Sequence, residues 1–179
     1  KGRFSSMDKD ALADLARGQR PFATIIGCSD SRVPPELVFD AGFGELFIVR
    51  VAGNVISPEV MGSLQYANVH LHTPLMVVMG HERCGAVQAA LSAMREGAKE
   101  RARIALLLDR IIPGLTEVDA ALPADAQMQA AVEANRTALA RAFGLPPHLL
   151  LTVQQVHGSE ILVLDQPNPD LSHFLRVEC

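Results

Sequence analysis

Phe22-Ala-Thr-Ile-Ile-Gly27 is a short apolar run that begins after Pro21 and is followed at once by Cys28. Its residues are apolar at consecutive rather than alternate positions, and Thr24, Ile25 and Ile26 are β-branched, the shape that suits a pleated surface. A run of this length, bounded by a proline and a polar turn, reads as a strand covered on both faces. Leu46-Phe-Ile-Val-Arg-Val51 and Leu75-Met-Val-Val-Met79 have the same character. Strands buried on both faces belong to sheets whose crossover connections lay helices over them, so the three runs imply parallel pairing.

The segments between them read as those helices. Ser57-Pro58-Glu59 sets a capping hydroxyl, a first-turn proline and a first-turn acid ahead of Val60. Ala86 to Met94 carries Val87, Ala90, Leu91 and Met94 at helical spacing, with Gly97 as the stop. A further helix is expected from about Lys99 to Ile112, with Ile104, Leu107, Leu108 and Ile111 on one face, before Pro113-Gly114 ends it. Thr116 to Asp125 reads as a connection. Met128, Val132, Leu139 and Phe143 mark another amphipathic helix that closes at Gly144-Leu-Pro-Pro147, and Leu149 to Val156 and Ile161 to Leu164 read as two last strands around His157-Gly158. The expected fold is α/β, a mostly parallel central sheet flanked by helices with right-handed crossovers, in a single domain over 1–179 whose part from about 144 is atypical.

The 179 residues can bury roughly 70% of the surface their unfolded chain exposes, so no metal is needed merely to hold a core. Sixteen basic against twenty acidic residues, without a basic run, leave no footprint for nucleic acid. No apolar stretch approaches the roughly 20 residues that span a bilayer, so no membrane partner is expected either. Three cysteines cannot close a disulfide framework, which points to reduced thiols or metal ligands. The chain begins at Lys1 without a leader pattern, which favours the cytoplasm and leaves the periplasm open if a signal was removed.

Reactive groups in open parallel sheets gather beyond the carboxyl ends of the strands. Cys28 follows the first strand; His81 follows the third, with Cys84 three residues on. Alone, each is ordinary, because cysteine is among the most buried residue types and a histidine often opens a helix. Together they make a Cys₂His set, which leaves one tetrahedral position for water and suits zinc. In an extended segment Cys28, Asp30 and Arg32 would project the same way, with the guanidinium fork holding the carboxylate ionised beside the metal, where it could accept a hydrogen bond from hydroxide.

These residues closely resemble a family. Cys28-Ser-Asp-Ser-Arg32-Val-Pro-Pro-Glu36, Gly44-Glu-Leu-Phe-Ile-Val-Arg-Val-Ala-Gly-Asn54 and Gly80-His-Glu-Arg-Cys-Gly85, with Gln65-Tyr66-Ala67 and Ala130-Ala-Val-Glu-Ala-Asn135, are similar in order and spacing to the β-class carbonic anhydrases over about residues 10 to 140. The resemblance implies one zinc ion per chain on Cys28, His81 and Cys84, with Asp30 and Arg32 as the catalytic dyad. It places Gln19, Phe47 and Gly85 at the substrate pocket. It also implies a homodimer or larger assembly in which Gln19 and Phe47 serve the partner's zinc, and a closed form in which Asp30 leaves Arg32 to become the fourth zinc ligand. Ile25 stands where members with a bicarbonate-regulated closed state carry Trp, so that regulatory site is not expected.

The implied reaction is reversible hydration of carbon dioxide to bicarbonate and a proton by hydroxide on zinc. Two thiolates offset the metal's charge, so activity is expected to rise toward alkaline pH. Rival readings are hydrolysis of CS₂ or COS at the same site and a non-catalytic interaction module stabilised by zinc. A thiol redox protein has little support without a Cys-x-x-Cys pair. Asn135-Arg136 through Gly144-Leu-Pro-Pro147 and Gln155-Val-His-Gly158 also resemble the laccase-domain purine-processing enzymes, in which the matching histidine, here His157, binds zinc; without companion ligands a strand-end histidine is preferred. His70, His72, His148 and His173 are scattered, and each is read as a surface or helix-end residue.

Overall fold

The computed structural model describes residues 9–142, 153–154 and 177–178. Its centre is a parallel sheet of three strands, β1 (Ala23–Gly27), β2 (Leu46–Arg50) and β3 (Leu75–Met79), in the order β2-β1-β3. Ile25 lies opposite both Ile48 and Val77, and Ile26 opposite both Val49 and Val78. Every residue of β1 is buried, as its unbroken apolar run requires. Its one hydroxyl, on Thr24, is satisfied by Thr73 Oγ1 at 2.8 Å.

Strand alternation sorts the core into two faces. Ala23, Ile25, Val77 and Met79 pack with Val33, beside Phe39, Leu46 and Ile48. Ile26 and Val78 pack on the opposite side with Val60, Leu64 and Leu139. Those last three come from α3 (Pro58–Leu71) and α6 (Ala124–Ala142). A third cluster holds Cys28 and Cys84 among Val87, Leu108, Ile111 and Ala131, contributed by α4 (Gly85–Glu96), α5 (Ala102–Ile111) and α6. The ligand cysteines therefore sit inside apolar packing.

The helix signals act where expected. Ser57 Oγ accepts from the Val60 amide at 3.3 Å to open α3, and Gly97 ends α4 in the left-handed region at φ 66°. Two expectations are corrected. The helix expected from Lys99 starts at Ala102, and Ile104, placed on its buried face, is 45% exposed, because the buried stripe narrows to Leu108 and Ile111. The short helices α1 (Lys9–Leu15) and α2 (Pro35–Val38) were not expected. Of the strand expected over 149–156, Val153–Gln154 (β4) forms a two-residue parallel pair with Val177–Glu178 (β5). The strand expected at 161–164, Phe143, His148, His157 and His173 lie outside the described residues. Among the described residues, no helix is long and apolar enough to cross a membrane.

Candidate metal centre

Because β1 and β3 are adjacent and parallel, the residues after them leave the sheet at the same edge. Cys28 follows β1 directly; His81 lies two residues past β3, and Cys84 is the N-cap of α4. Two sulfurs on one tetrahedral zinc at about 2.3 Å stand about 3.8 Å apart, and Cys28 Sγ and Cys84 Sγ are 3.9 Å apart. The three donor atoms all lie within 4.8 Å of one another, and the residues that carry them are buried.

The imidazole is set for the same task. His81 Nδ1 is 3.0 Å from the Glu82 carbonyl oxygen, and donating there leaves the Nε2 lone pair for an ion. Nε2 is buried and has no hydrogen-bond partner among the described residues, a costly state that a metal would relieve. A Cys/His/Cys set with this spacing fits a zinc-type ion.

The electrostatics agree. The Cys28 thiol is held below its ordinary value, chiefly by the hydrogen bond with Cys84, assisted by His81 and the Gly53 amide, while burial opposes. Cys84 is pushed up, because Cys28 already holds the pair's first negative charge and burial disfavours a second, although amides at the start of α4 pull it back. Burial pulls His81 down, but the nearness and charge of the Cys28 sulfur prevail and raise it. The cysteine pair thus carries a single negative charge, and a bound dication would offset the second and favour both thiolates.

Asp30 and Arg32 meet as the sequence led one to expect, by a different backbone path. The segment turns instead of running extended: the Val33 amide donates to the Asp30 carbonyl at 3.3 Å, and the Arg32 amide to Asp30 Oδ1 at 3.0 Å. This is an Asx turn, in which the carboxylate stands in for a backbone acceptor. Arg32 Nε then donates to Oδ1 at 2.9 Å and Nη2 to Oδ2 at 2.7 Å. The fork and that amide hold the carboxyl well below the usual carboxylate range. Arg32 Nη2 also donates to the Arg83 carbonyl at 3.2 Å, tying the Cys28 stretch to the His81–Cys84 loop. Asp30 Oδ2 lies 3.9 Å from His81 Nε2, so the carboxylate stands at the edge of the metal centre.

Gly85 opens α4 beside Cys84. Gln19 is exposed, and Phe47 is half-buried with its ring 6.3 Å from that of Tyr66. No hydrogen bond or ring contact among the described residues joins Gln19 or Phe47 to the three ligands. His70 and His72 lie at the end of α3, His72 in the left-handed region.

Sequence reasoning missed several residues. Arg50, the one charge in the second strand, donates from Nε to the Cys28 carbonyl at 2.8 Å and from Nη2 to the Asp30 carbonyl at 2.5 Å. That charge in an apolar run was the available signal. Buried Asn54 and Asn135 bond backbone carbonyls near the ligands. Arg136 is 3% exposed, its Nη2 on Glu133 and its Nε and Nη1 without partners among the described residues, beside a cleft of about 300 Å³ between Gly80–Arg83 and α6.

Comparison with known proteins places these features in context. The family model described as carbonic anhydrase matches residues 23–142. One described as multi-copper polyphenol oxidoreductase laccase matches 123–174, overlapping the first on α6. Carbonic anhydrase 2 of Mycobacterium tuberculosis is 45% identical over 122 residues, 64% of this chain and 59% of that protein, so the chain matches less than two thirds of its relative's length. The solved structure of the β-carbonic anhydrase CafA of Aspergillus fumigatus is 27% identical, with a TM-score of 0.66 over 94% of this chain and 89% of that one. A tetrameric β-carbonic anhydrase from Sordaria macrospora shares the fold at 24% identity, with a TM-score of 0.66 over 80% of this chain and 79% of that one.

Proposed function

This chain belongs to the β-class carbonic anhydrase family, and we propose that it catalyses the reversible hydration of carbon dioxide to bicarbonate and a proton, using one zinc ion held by Cys28, His81 and Cys84. Three buried donors within 4.8 Å of one another, beside a carboxylate gripped by a guanidinium, carry the reading. Zinc, when bound, supplies the acidity that lets water act as a nucleophile near neutral pH. The chain does the rest.

Asp30 is the orienting group. Ionised, it can only accept hydrogen bonds, so an oxygen that donates to it must turn its own lone pairs elsewhere, toward the carbon under attack. Arg32 keeps that carboxylate charged and aimed; Arg50, bonded to the carbonyls of Cys28 and Asp30, fixes the backbone beneath both. With zinc bound, the thiolates of Cys28 and Cys84 would offset more of its charge than neutral imidazoles do, so activity is expected to climb toward alkaline pH. The closed alternative, with Asp30 as fourth ligand, requires the carboxylate to give up its Arg32 fork.

Gln19 and Phe47 belong in this proposal to the substrate pocket of a second copy, with Gly85 lining the pocket of its own chain. The half-buried edge strand β2 and the exposed apolar residues Phe22 and Leu37 suit such self-association. Metal analysis beside stopped-flow carbon dioxide hydration tests the whole. The expected result is one zinc per chain, lost with activity in Cys28→Ser, His81→Ala and Cys84→Ser. Zinc at full occupancy without hydration would leave a structural zinc module, and turnover of CS₂ or COS instead of carbon dioxide would move the chemistry to those substrates.

A further inference from the structure

We propose that the turn at Gly53–Asn54 sets the distance between the two metal-binding stretches, and that Asn135 of α6, which anchors this turn, is a positioning residue of the metal centre. The inference rests on the metal site proposed above, not on the reaction run there.

The turn touches both stretches. The Gly53 amide donates to Cys28 Sγ at 3.4 Å, while Asn54 Nδ2 donates to the Met79 carbonyl at 2.7 Å, two residues before His81. Asn135 Nδ2 donates to the Gly53 carbonyl at 2.8 Å, reaching from α6 across 82 residues of sequence. All three bonds are buried. One short turn thus holds a ligand sulfur on one side and the end of the strand that delivers the imidazole on the other; the turn is closed by the Asn54 amide on the Val51 carbonyl at 2.9 Å and tied to α6 by the Asn135 side chain.

Its geometry admits little else. Gly53 and Asn54 have φ of 66° and 54°, both in the left-handed region. A Cβ on Gly53 would come within 2.5 Å of Ile111 Cδ1 and 3.0 Å of Ala86 Cβ. Burying two asparagine side chains costs free energy that an apolar residue avoids, unless the bonds they make are needed. Here their acceptors are the carbonyl of Met79, two residues before His81, and that of Gly53, whose amide meets the Cys28 sulfur. An amide donated to a thiolate fixes the direction of the sulfur and withdraws charge from it, which tunes the ligand as outer hydrogen bonds do at other metal sites.

The experiment uses the full chain. Asn135→Leu keeps the volume, introduces no charge and removes the donor. Zinc affinity by chelator competition should fall about tenfold to hundredfold. In the cobalt-loaded chain the thiolate-to-metal charge-transfer band should move to lower energy, because a sulfur that loses its donor is more electron-rich. If Asn135→Leu lowers the melting temperature while zinc affinity and the cobalt band stay unchanged, Asn135 only packs and the proposal is overturned. A second measurement needs no variant: in the cadmium-loaded wild-type chain, nuclear magnetic resonance should detect scalar coupling between the metal and the Gly53 amide proton through the sulfur, and its absence overturns the proposal even if the variant does not fold. Wild-type chain that takes up no metal removes the metal site and this inference together. Chain that binds zinc without hydrating carbon dioxide removes the reaction alone.

Discussion

Asp30→Asn separates a role in turnover from a role in holding metal. The carboxylate accepts three bonds from Arg32, at 3.0, 2.9 and 2.7 Å, and an amide can keep only the share of one oxygen. The other position becomes an NH₂ facing Arg32 Nη2, donor against donor. Arg32 is 53% exposed, so solvent screens the pair and the stability loss should be small. The effect on hydration should be far larger, about 10²–10⁴ in kcat, because the substitution removes an ionised acceptor at the metal's edge. Zinc content should stay at the wild-type level, since no ligand is altered. The pH dependence adds a check. The folded Asp30 carboxyl lies below its unfolded value, so its contribution is complete above about pH 4 and lost only as the pH falls through the depressed folded value. The stability difference between wild type and variant, from urea titrations, should therefore be flat from about pH 5 to 8 and shrink below about pH 4. For the same reason the pH–rate profile near neutrality should keep its shape while its height falls. Full turnover in the variant, or loss of zinc from it, would refute the assignment.

Three further outcomes follow from particular contacts. Gly53→Ala should cost about 2–4 kcal/mol in chemical denaturation, from the left-handed backbone and the overlap with Ile111 Cδ1, and adding Ile111→Val should recover part of it; a cost below about 0.5 kcal/mol would contradict the crowding described. Arg136→Met should leave stability unchanged or raise it by about 1 kcal/mol, since two buried guanidinium nitrogens lack partners among the described residues, whereas Glu133→Ala should lower it; matched losses in the two variants would show that the pair is net stabilising. Ser57→Ala should cost about 1 kcal/mol by removing the cap of α3, and thermal melts that coincide with wild type would show that the 3.3 Å bond contributes nothing.

The parts of this molecule that were legible in sequence are those whose cause is local. β1, β2 and β3 are continuous apolar runs, and α3 begins where a serine, a proline and a glutamate stand together. The three donors were legible because their residue types are rare and their places after strands are chemically meaningful. The Asp30–Arg32 pair was found, but the turn that joins them was not: alternation assumes an extended chain, and Asp30 bends it by accepting the Arg32 amide. Ile104 was misplaced because helical spacing specifies a stripe without saying how much of it a neighbour covers. Arg50 and Asn135 escaped notice because their partners are backbone carbonyls far away in sequence, and Gly53 because its amide meets the sulfur of Cys28, 25 residues away, contacts that no side-chain pattern encodes.

α6 shows how such long-range demands compete. Ala131, Asn135 and Leu139, one turn apart, form its buried stripe, while Val132 and Arg136 share the adjacent one beside the loop that carries His81. Two buried polar residues therefore sit side by side with opposite outcomes. Asn135 spends its donor on the Gly53 carbonyl. Arg136 finds, among the described residues, one carboxylate for three nitrogens, in the stretch that two family models both match. A helix that serves one metal centre needs Asn135 fixed in register against the Gly53–Asn54 turn, whereas the position of Arg136 can be apolar without loss to that centre. The register of α6 is therefore held by its amide and its apolar stripe, and the guanidinium is tolerated at the margin of the cleft.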